Sequence, residues 1–521
     1  MHIYQSFQQK LVYGNLEPVR SKKEWDIMLN FFKSKEKKPK LMEEIIAAFD
    51  KSSDFLSYQS TEAVSPYWIC YQTSLVDSKK LHQYILPYLQ YHPSTSIKDI
   101  QKVIPIEKVT ITDKVDEIKE KLLTGHVMIQ LTKHDRYCAL IRAELHETRK
   151  VSVPEVEFSV LGPKEAFVES LDINLNLIRK RLPIEQLREK EVKVGKLSKT
   201  RIAVLYVDHI VNKENVQTVL QRLTDLEFDH INDSSYINQM IADDHFSPFP
   251  QLLSTERPDR VVSTLVEGKV AIIVDGSPQA LIGPTTLVEF FSSFEDYYLN
   301  WYIATFFRLV RFFAVTFSIL VTPLYVAVLS YHYELIPEDL MSTLVTSRRE
   351  VPLPPILEAL FLELTIELLR EAGARLPSKV GQTIGIVGGL VIGTASVEAG
   401  LTSNVLLIIV ALAALASFTT PIYSIGNTIR LIRFPFLLFA DLWGLLGIVF
   451  CFSILLTHLL HLTSIGRPFL APIYPLRLND LKDSIVRFPY SNLSKRPKFV
   501  QSGNRERFDQ NKATEKHDID E

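Results

Sequence analysis

The alternation of apolar and polar positions changes character along this chain near Leu299. Before it, short apolar runs of strand length alternate with polar turns and amphipathic helical stretches. YWICYQTSLVDSKKLHQYIL (from 67) and RIAVLYVDHIVNKENVQTVL (from 201) align without a gap on Tyr71 and Tyr206. Each gives a strand-like run, an apolar-Val pair (Leu75-Val76, Ile210-Val211), an Asp or Asn, a polar turn and a helix. Each is followed by a Gly-started hairpin, LLTGHVMIQLTKHDRYCALI and LVEGKVAIIVDGSPQALI. These set Gly125 opposite Gly268 and Ala139-Leu140-Ile141 opposite Ala280-Leu281-Ile282. The pattern predicts a duplicated α/β unit over 41–160 and 161–290, preceded by a flexible polar arm over 1–40 that is Lys-rich at KSKEKKPK.

After Leu299 the runs lengthen. Residues 309–332, 380–400, 404–424 and 434–460 each have the length and apolarity to cross a bilayer of ~30 Å, which takes about 20 helical residues. A fifth stretch, LFLELTIELLREAGARLP (360–377), follows the VPLPP of 351–355, whose prolines favour a helix start. It carries Glu363, Glu367 and Glu371 at i, i+4 spacing, a narrow acidic stripe on an otherwise apolar helix. A charge at mid-membrane costs at least about 2.5–3.5 kcal/mol, so acids there face a bundle interior or a water-filled cavity. Two readings stay open. The stripe lines an aqueous cation path where several copies meet around an axis, or it lies on an interfacial helix, solvated or neutralised locally by Arg370 and Arg375.

Gly381, Gly385, Gly389 and Gly393 recur every four residues in IGIVGGLVIGTASV, a spacing that lets another helix pack closely. Arg308 and Arg311 before the first span, with the basic residues after 464, place both ends of the membrane domain (300–463) in the cytoplasm. Both ends on one side require an even number of crossings, and the apolar pattern gives four or five helices. Arg430 and Arg433 then sit where the charge rule disfavours them. Residues 464–521 read as a basic C-terminal tail with a disordered end. The expected fold is therefore an α/β cytoplasmic region of two repeated subdomains followed by an α-helical polytopic membrane domain.

Composition narrows the chemistry. A net charge of −2 over 521 residues gives no footprint for nucleic acid. Cys70, Cys138 and Cys451 are far apart and form no metal-binding or redox motif, and His458 and His461 at i, i+3 lack an acidic or Cys companion. No P-loop or nucleophile elbow is present, so the reading is of no enzyme, cofactor or metal. The N-terminus MHIYQSFQQKLVYG has no signal-peptide pattern, which leaves the large N-terminal region in the cytoplasm.

The ordered stretches VPEVEFSVLGPKEAFVESLDINLNLIRKRL (153–182), STERPDR (254–260), FSSFEDYYLN (291–300), VPLPPILEALFLELTIELLREAGARLP (351–377) and SIGRPFLAPIYPLR (464–477), with the glycine stripe, carry a resemblance. From about residue 50 to 490 the chain resembles the A subunits of the GerA family of spore germinant receptors. The arm and the residues beyond Asn492 lie outside the shared pattern. The resemblance implies a non-enzymatic, multi-pass subunit of the inner spore membrane. It implies work with a transporter-like, nutrient-binding B subunit and a lipoprotein C subunit, and a homo-oligomeric ring that conducts cations during germination. In that case Glu363, Glu367 and Glu371 serve the ion pathway and the four glycines pack helices. The alternative is a non-conducting scaffold that couples the B subunit to downstream effectors. A secondary transporter is a weaker third reading, because no inverted repeat with broken helices is visible.

Overall fold

The structure, a computed structural model, describes residues 41–61, 63–92, 96–106, 109–145, 154, 157, 159–376, 388–389 and 391–509. The arm over 1–40 and the first part of the apolar stretch 380–400 fall outside them.

Two five-stranded antiparallel sheets make up the N-terminal region. The first holds β1 (Phe55–Ser60), β2 (Tyr67–Gln72), β3 (Val109–Thr112), β4 (His126–Gln130) and β5 (Cys138–Arg142), in the order β1-β2-β4-β5-β3. The second holds β6 (Leu187–Val194), β7 (Thr200–Val207), β8 (Leu253–Thr255), β9 (Val270–Val274) and β10 (Ala280–Gly283), in the order β6-β7-β9-β10-β8. The orders are the same, and so are several local devices. Asp77 and Asn212 each cap the helix that follows, accepting from Lys79 N at 2.8 Å and Glu214 N at 2.9 Å. Gly125 and Gly268 both have positive φ, and a Cβ there would lie 2.7 Å from the Leu75 carbonyl oxygen and 3.2 Å from that of Ile210.

Each sheet is apolar on both faces because helices cover both. In the first, α1 (Leu41–Phe49) and α3 (Val115–Leu122) pack on Cys70, Met128 and Leu140. Helix α2 (Ile97–Val103) and helical residues 81–91 pack on Ile69, Val127 and Ile141. In the second, α4 (Leu171–Arg181) and α7 (Pro258–Glu267) cover Ala271 and Ile273. Helices α5 (Lys213–Thr224) and α6 (Ser234–Met240) cover Ile272 and Val274 from the other side. This is why β9 reads VAIIV, with every residue buried, instead of alternating.

A helical bundle follows: α8 (Trp301–Tyr331), α9 (Glu338–Arg348), α10 (Pro355–Arg375), helical residues 391–398, α11 (Asn404–Ser417) and α12 (Tyr423–His461). Among the described residues, α8 and α12 are long and apolar enough to cross a membrane. The stretch read as one span over 434–460 is folded differently. Gly444, at φ 60° and ψ −138°, reverses α12 into two antiparallel arms, 423–443 and 445–461. The Phe439 and Phe450 rings lie 5.8 Å apart, where a straight helix would separate them by about 16 Å. Gly447 makes the reversal tight, since a Cβ on it would collide with the Phe439 carbonyl. The bundle therefore holds seven helical segments among its described residues.

The C-terminal residues 464–509 are not a loose basic tail. They close over the second sheet unit: Phe469 and Val500 are fully buried, Arg467 reaches Asn215 and Glu214 at 3.0 Å, and Gly503 N donates to Ile210 O at 2.8 Å. Their polar, proline-rich composition hides these few anchors from a hydropathy reading.

The two sheet units meet through buried charge. Arg179 of α4 donates to Asp54 at 2.6 Å and Ser52 at 3.0 Å, Ser74 donates to Asp54 at 2.6 Å, and Glu189 of β6 lies 3.9 Å from the same guanidinium. One arginine thus serves two acids. Burial, with the neighbouring Asp54 charge, pushes the Glu189 carboxyl up to about 8 against the pull of Arg179. Between the ordinary glutamate value and about 8, the folded protein holds a proton that the unfolded chain has lost, so stability falls as pH rises through that window. Glu189→Gln is expected to flatten this loss between pH 5 and 8, measured by thermal melts of the purified chain. An unchanged slope would place the pH dependence elsewhere.

Candidate functional site

Helix α10 starts at Pro355, a residue suited to a first turn because its missing N–H would have no partner there. Its 21 residues extend about 31 Å and carry four acids, of which Glu358 and Glu363 are buried, Glu367 is partly buried and Glu371 is exposed. Each acid holds an arginine. Glu358 pairs with Arg348 of α9 at 2.7 Å and accepts from Ser403 N at 3.2 Å. Glu363, 2% exposed, pairs with Arg433 and accepts from Thr322 Oγ1 of α8 at 3.1 Å. Arg433 also donates to Ser318 Oγ at 2.6 Å. Glu367 pairs with Arg370 and lies 3.7 Å from Arg430, while both arginines donate to Asn427. Glu371, 61% exposed, pairs with Arg375.

This is a ladder that runs from buried to exposed and ties α8, α10 and the first arm of α12 together. Its physical reason is the cost of an unpaired charge away from water, which the apolar surroundings of α10 would otherwise impose. Leu357, Phe361, Leu364 and Leu368 of α10 point outward, while Glu358 and Glu363 face the bundle interior. Glu358 escapes a sequence reading because it lies five residues before Glu363, off the i, i+4 stripe. Arg430 and Arg433 are visible as misplaced charges, and an i, i+3 arginine pair in an apolar run was the signal that acidic partners exist.

The other candidates are distributed as follows. Gly381 and Gly385 lie outside the described residues. A Cβ on Gly389 would meet nothing within 4 Å, and one on Gly393 would touch Leu407 at 3.8 Å, ordinary contact. His458 accepts or donates to Ser247 Oγ at 2.8 Å, and His461 bonds the Thr457 carbonyl one turn back. No cluster of three His, Cys, Asp or Glu side chains is arranged for a metal among the described residues.

A second cluster joins the bundle to the α/β region. Asp296 is fully buried and accepts from Arg308 at 3.2 Å and twice from Arg311 at 2.7 Å. Arg308 also donates to the Asp483 carbonyl at 2.6 Å, and Tyr297 OH donates to the Asp483 carboxylate at 3.0 Å. By sequence alone Arg308 and Arg311 serve only as orientation signals. Their fixed carboxylate partner, in FEDYYLN, was within sight twelve and fifteen residues away.

The family model described as Bacillus/Clostridium GerA spore germination protein matches residues 43–499. The chain is 50% identical to spore germination protein GerQA of Bacillus cereus over 487 residues, 92% of this chain and 98% of that protein. It is 50% identical to GerIA of Bacillus cereus over 456 residues, 87% of this chain and 68% of the relative. To spore germination protein KA of Bacillus subtilis (strain 168) it is 37% identical over 437 residues, 83% and 80% of the two chains. Among solved structures it is similar to the N-terminal domain of the A subunit of the Bacillus megaterium spore germinant receptor GerK3. That match has 26% identity and a TM-score of 0.35, and covers 46% of this chain and 92% of that one.

The Glu363–Arg433 pair gives a direct test of the ladder. Arg433→Met alone is expected to cost about 3–5 kcal/mol, because Glu363 stays buried without its cation. Adding Glu363→Met should recover most of that loss, since a packed apolar pair replaces a buried ion pair at little net cost. Thermal unfolding of the four proteins in detergent reads the coupling, and simple additivity of the two losses would contradict it.

Proposed function

The chain belongs to the Bacillus/Clostridium GerA family of spore germination proteins, and from that premise we propose that it is the A subunit of a nutrient germinant receptor. In this reading it is a multi-pass protein of the inner spore membrane with its α/β region in the cytoplasm. It works with a transporter-like, nutrient-binding B subunit and a lipoprotein C subunit, and it assembles with copies of itself. It has no catalytic task; its task is to convert a conformational signal into release of ions.

The observation that carries the reading is the ladder of charge pairs together with its attachment to the α/β region. The first arm of α12 supplies Arg430 and Arg433 to the ladder, and the same arm is fixed to the second sheet unit where Thr428 Oγ1 donates to Pro248 O at 2.6 Å. A movement of that unit therefore pulls on the partners of Glu363 and Glu367. The directions of the segments also support membrane crossing. Tyr331 at the far end of α8 donates to Asp441 O at 2.7 Å beside the Gly444 reversal. Glu358 and Ser403 meet near that end, while Asn427 and Arg370 meet near the other. Among the described residues α8, α10, α11 and the two arms run between these ends; with the apolar stretch 380–400 read as a further span, the proposal is of six traverses that return the chain to the side on which it started.

For ion conduction, Glu363, Glu367 and Glu371 attract cations only when their arginines let go, so the paired ladder corresponds to a closed state. The scaffold reading draws on the same pairing: acids already neutralised hold the bundle together and conduct nothing. Flux through reconstituted protein separates the two. Wild-type oligomers in liposomes are expected to pass monovalent cations once opened, and Glu367→Gln with Glu371→Gln, which leave the buried Glu363–Arg433 pair intact, are expected to lower the flux several-fold without loss of the oligomer on size exclusion. A well-folded wild type that stays impermeable with its partner subunits present would leave the scaffold.

A further inference from the structure

Between α6 and β8 the chain makes a loop whose tip, Phe246, is 99% exposed. A large apolar side chain held wholly in water is unfavourable, and here nothing about the loop is slack. Gln251, 4% exposed, ties it from inside: its side-chain Oε1 accepts from Asp243 N at 2.6 Å and Asp244 N at 3.0 Å, and its Nε2 donates to Asp244 O at 2.6 Å. Asp243 is clamped by Arg222, by Thr463 and by Gly466 N at 2.8 Å. The Asp244 carboxylate accepts from Phe246 N itself at 2.9 Å. The phenyl ring is thus presented outward by a rigid frame, so that placing it in a new environment costs little further ordering.

The loop also has a fixed address. Directly after Phe246, Ser247 bonds His458 of the second α12 arm and Pro248 accepts from Thr428 of the first. Both arms of the apolar hairpin therefore end on this loop. Exposed aromatic side chains mark the same end of the bundle: Tyr302 and Phe306 at the start of α8 and Tyr423 at the start of α12. Tyrosine and tryptophan gather at the boundary between hydrocarbon and water, and an apolar side chain such as Phe beside them buries itself at the headgroup–acyl boundary.

We propose that Phe246 is a membrane-interface anchor, inserted among the lipid headgroups of the leaflet on the α/β side, so that the second sheet unit is seated on the bilayer as well as on the helices. This rests on the reading of the bundle as membrane-spanning. The partner is a lipid surface, because the loop is continuous with the ends of the two apolar arms. An anchor here fixes the unit that holds Thr428, and with it the Arg430 and Arg433 side of the ladder.

The test uses the full chain in nanodiscs of equal parts phosphatidylcholine and phosphatidylglycerol. A spin label is placed at Phe246→Cys, at Ile454→Cys on the outward face midway along the second α12 arm, or at Leu197→Cys, an exposed position in the turn between β6 and β7. The native Cys70, Cys138 and Cys451 are buried, and unsubstituted protein supplies the background. Collisions with oxygen, which concentrates in lipid, are compared with collisions with a water-soluble nickel chelate. The expected result is an oxygen-to-chelate ratio at 246 several-fold above that at 197 and below that at 454. A ratio at 246 equal to that at 197, with 454 still in lipid, overturns the anchor and leaves the membrane reading standing. Shielding of 246 from both reagents overturns it in favour of a protein contact. An aqueous ratio at 454 overturns the membrane reading and the anchor with it.

Discussion

A carboxylate with no exposed surface must be paid for by cations, and Asp296 is held by two guanidinia from the first turns of α8. Through that one group the α/β region, the longest unbroken helix of the bundle and the C-terminal segment are joined, because Arg308 reaches on to Asp483. Arg487 completes the joint by donating to the Leu299 carbonyl at 2.9 Å while its guanidinium lies over the Tyr490 ring. Remove the acid and the buried Arg308 and the partly buried Arg311 repel each other at the base of the bundle. The orientation of α8 relative to the sheets follows from this clamp, and the ladder follows from α8, since Ser318 and Thr322 stand on it.

The same constraint, charge in apolar surroundings, explains what was legible in the sequence. Strand-and-helix alternation before Leu299 marks the α/β region, because a sheet covered on both faces needs apolar runs such as VAIIV bounded by turn residues. The three glutamates of the stripe are visible from spacing alone. Their arginines are not, since Arg433 lies seventy residues beyond Glu363 and no local rule links them. What the sequence does show is the imbalance: acids in one apolar helix and arginines in another, each unfavourable until brought together.

Gly444 marks the opposite case. One glycine in a long apolar run is ordinary for a helix that crosses a membrane, and hydropathy is blind to a backbone reversal. Only the tertiary contacts reveal it, with His332 and Tyr331 packed against the turn and Gly447 leaving room for the Phe439 carbonyl. The C-terminal segment was hidden for a related reason. Its binding energy is concentrated in Phe469, Phe499 and Val500 and in a few arginine hydrogen bonds, while its bulk composition is that of a tail.

Taken together the contacts form a closed mechanical circuit. From Asp296 it runs up α8 to Thr322, across Glu363 to Arg433, down the first arm of α12 to Thr428, and through Pro248 back into the second sheet unit. The first link is a buried carboxylate held by two arginines through three hydrogen bonds, and the last joins the Thr428 hydroxyl-to-carbonyl bond to apolar packing, since Ile425 and Ile429 share a buried core with Phe249. The first arm, with Arg430 and Arg433 three residues apart on one face, thus connects this joint to two rungs of the ladder at once.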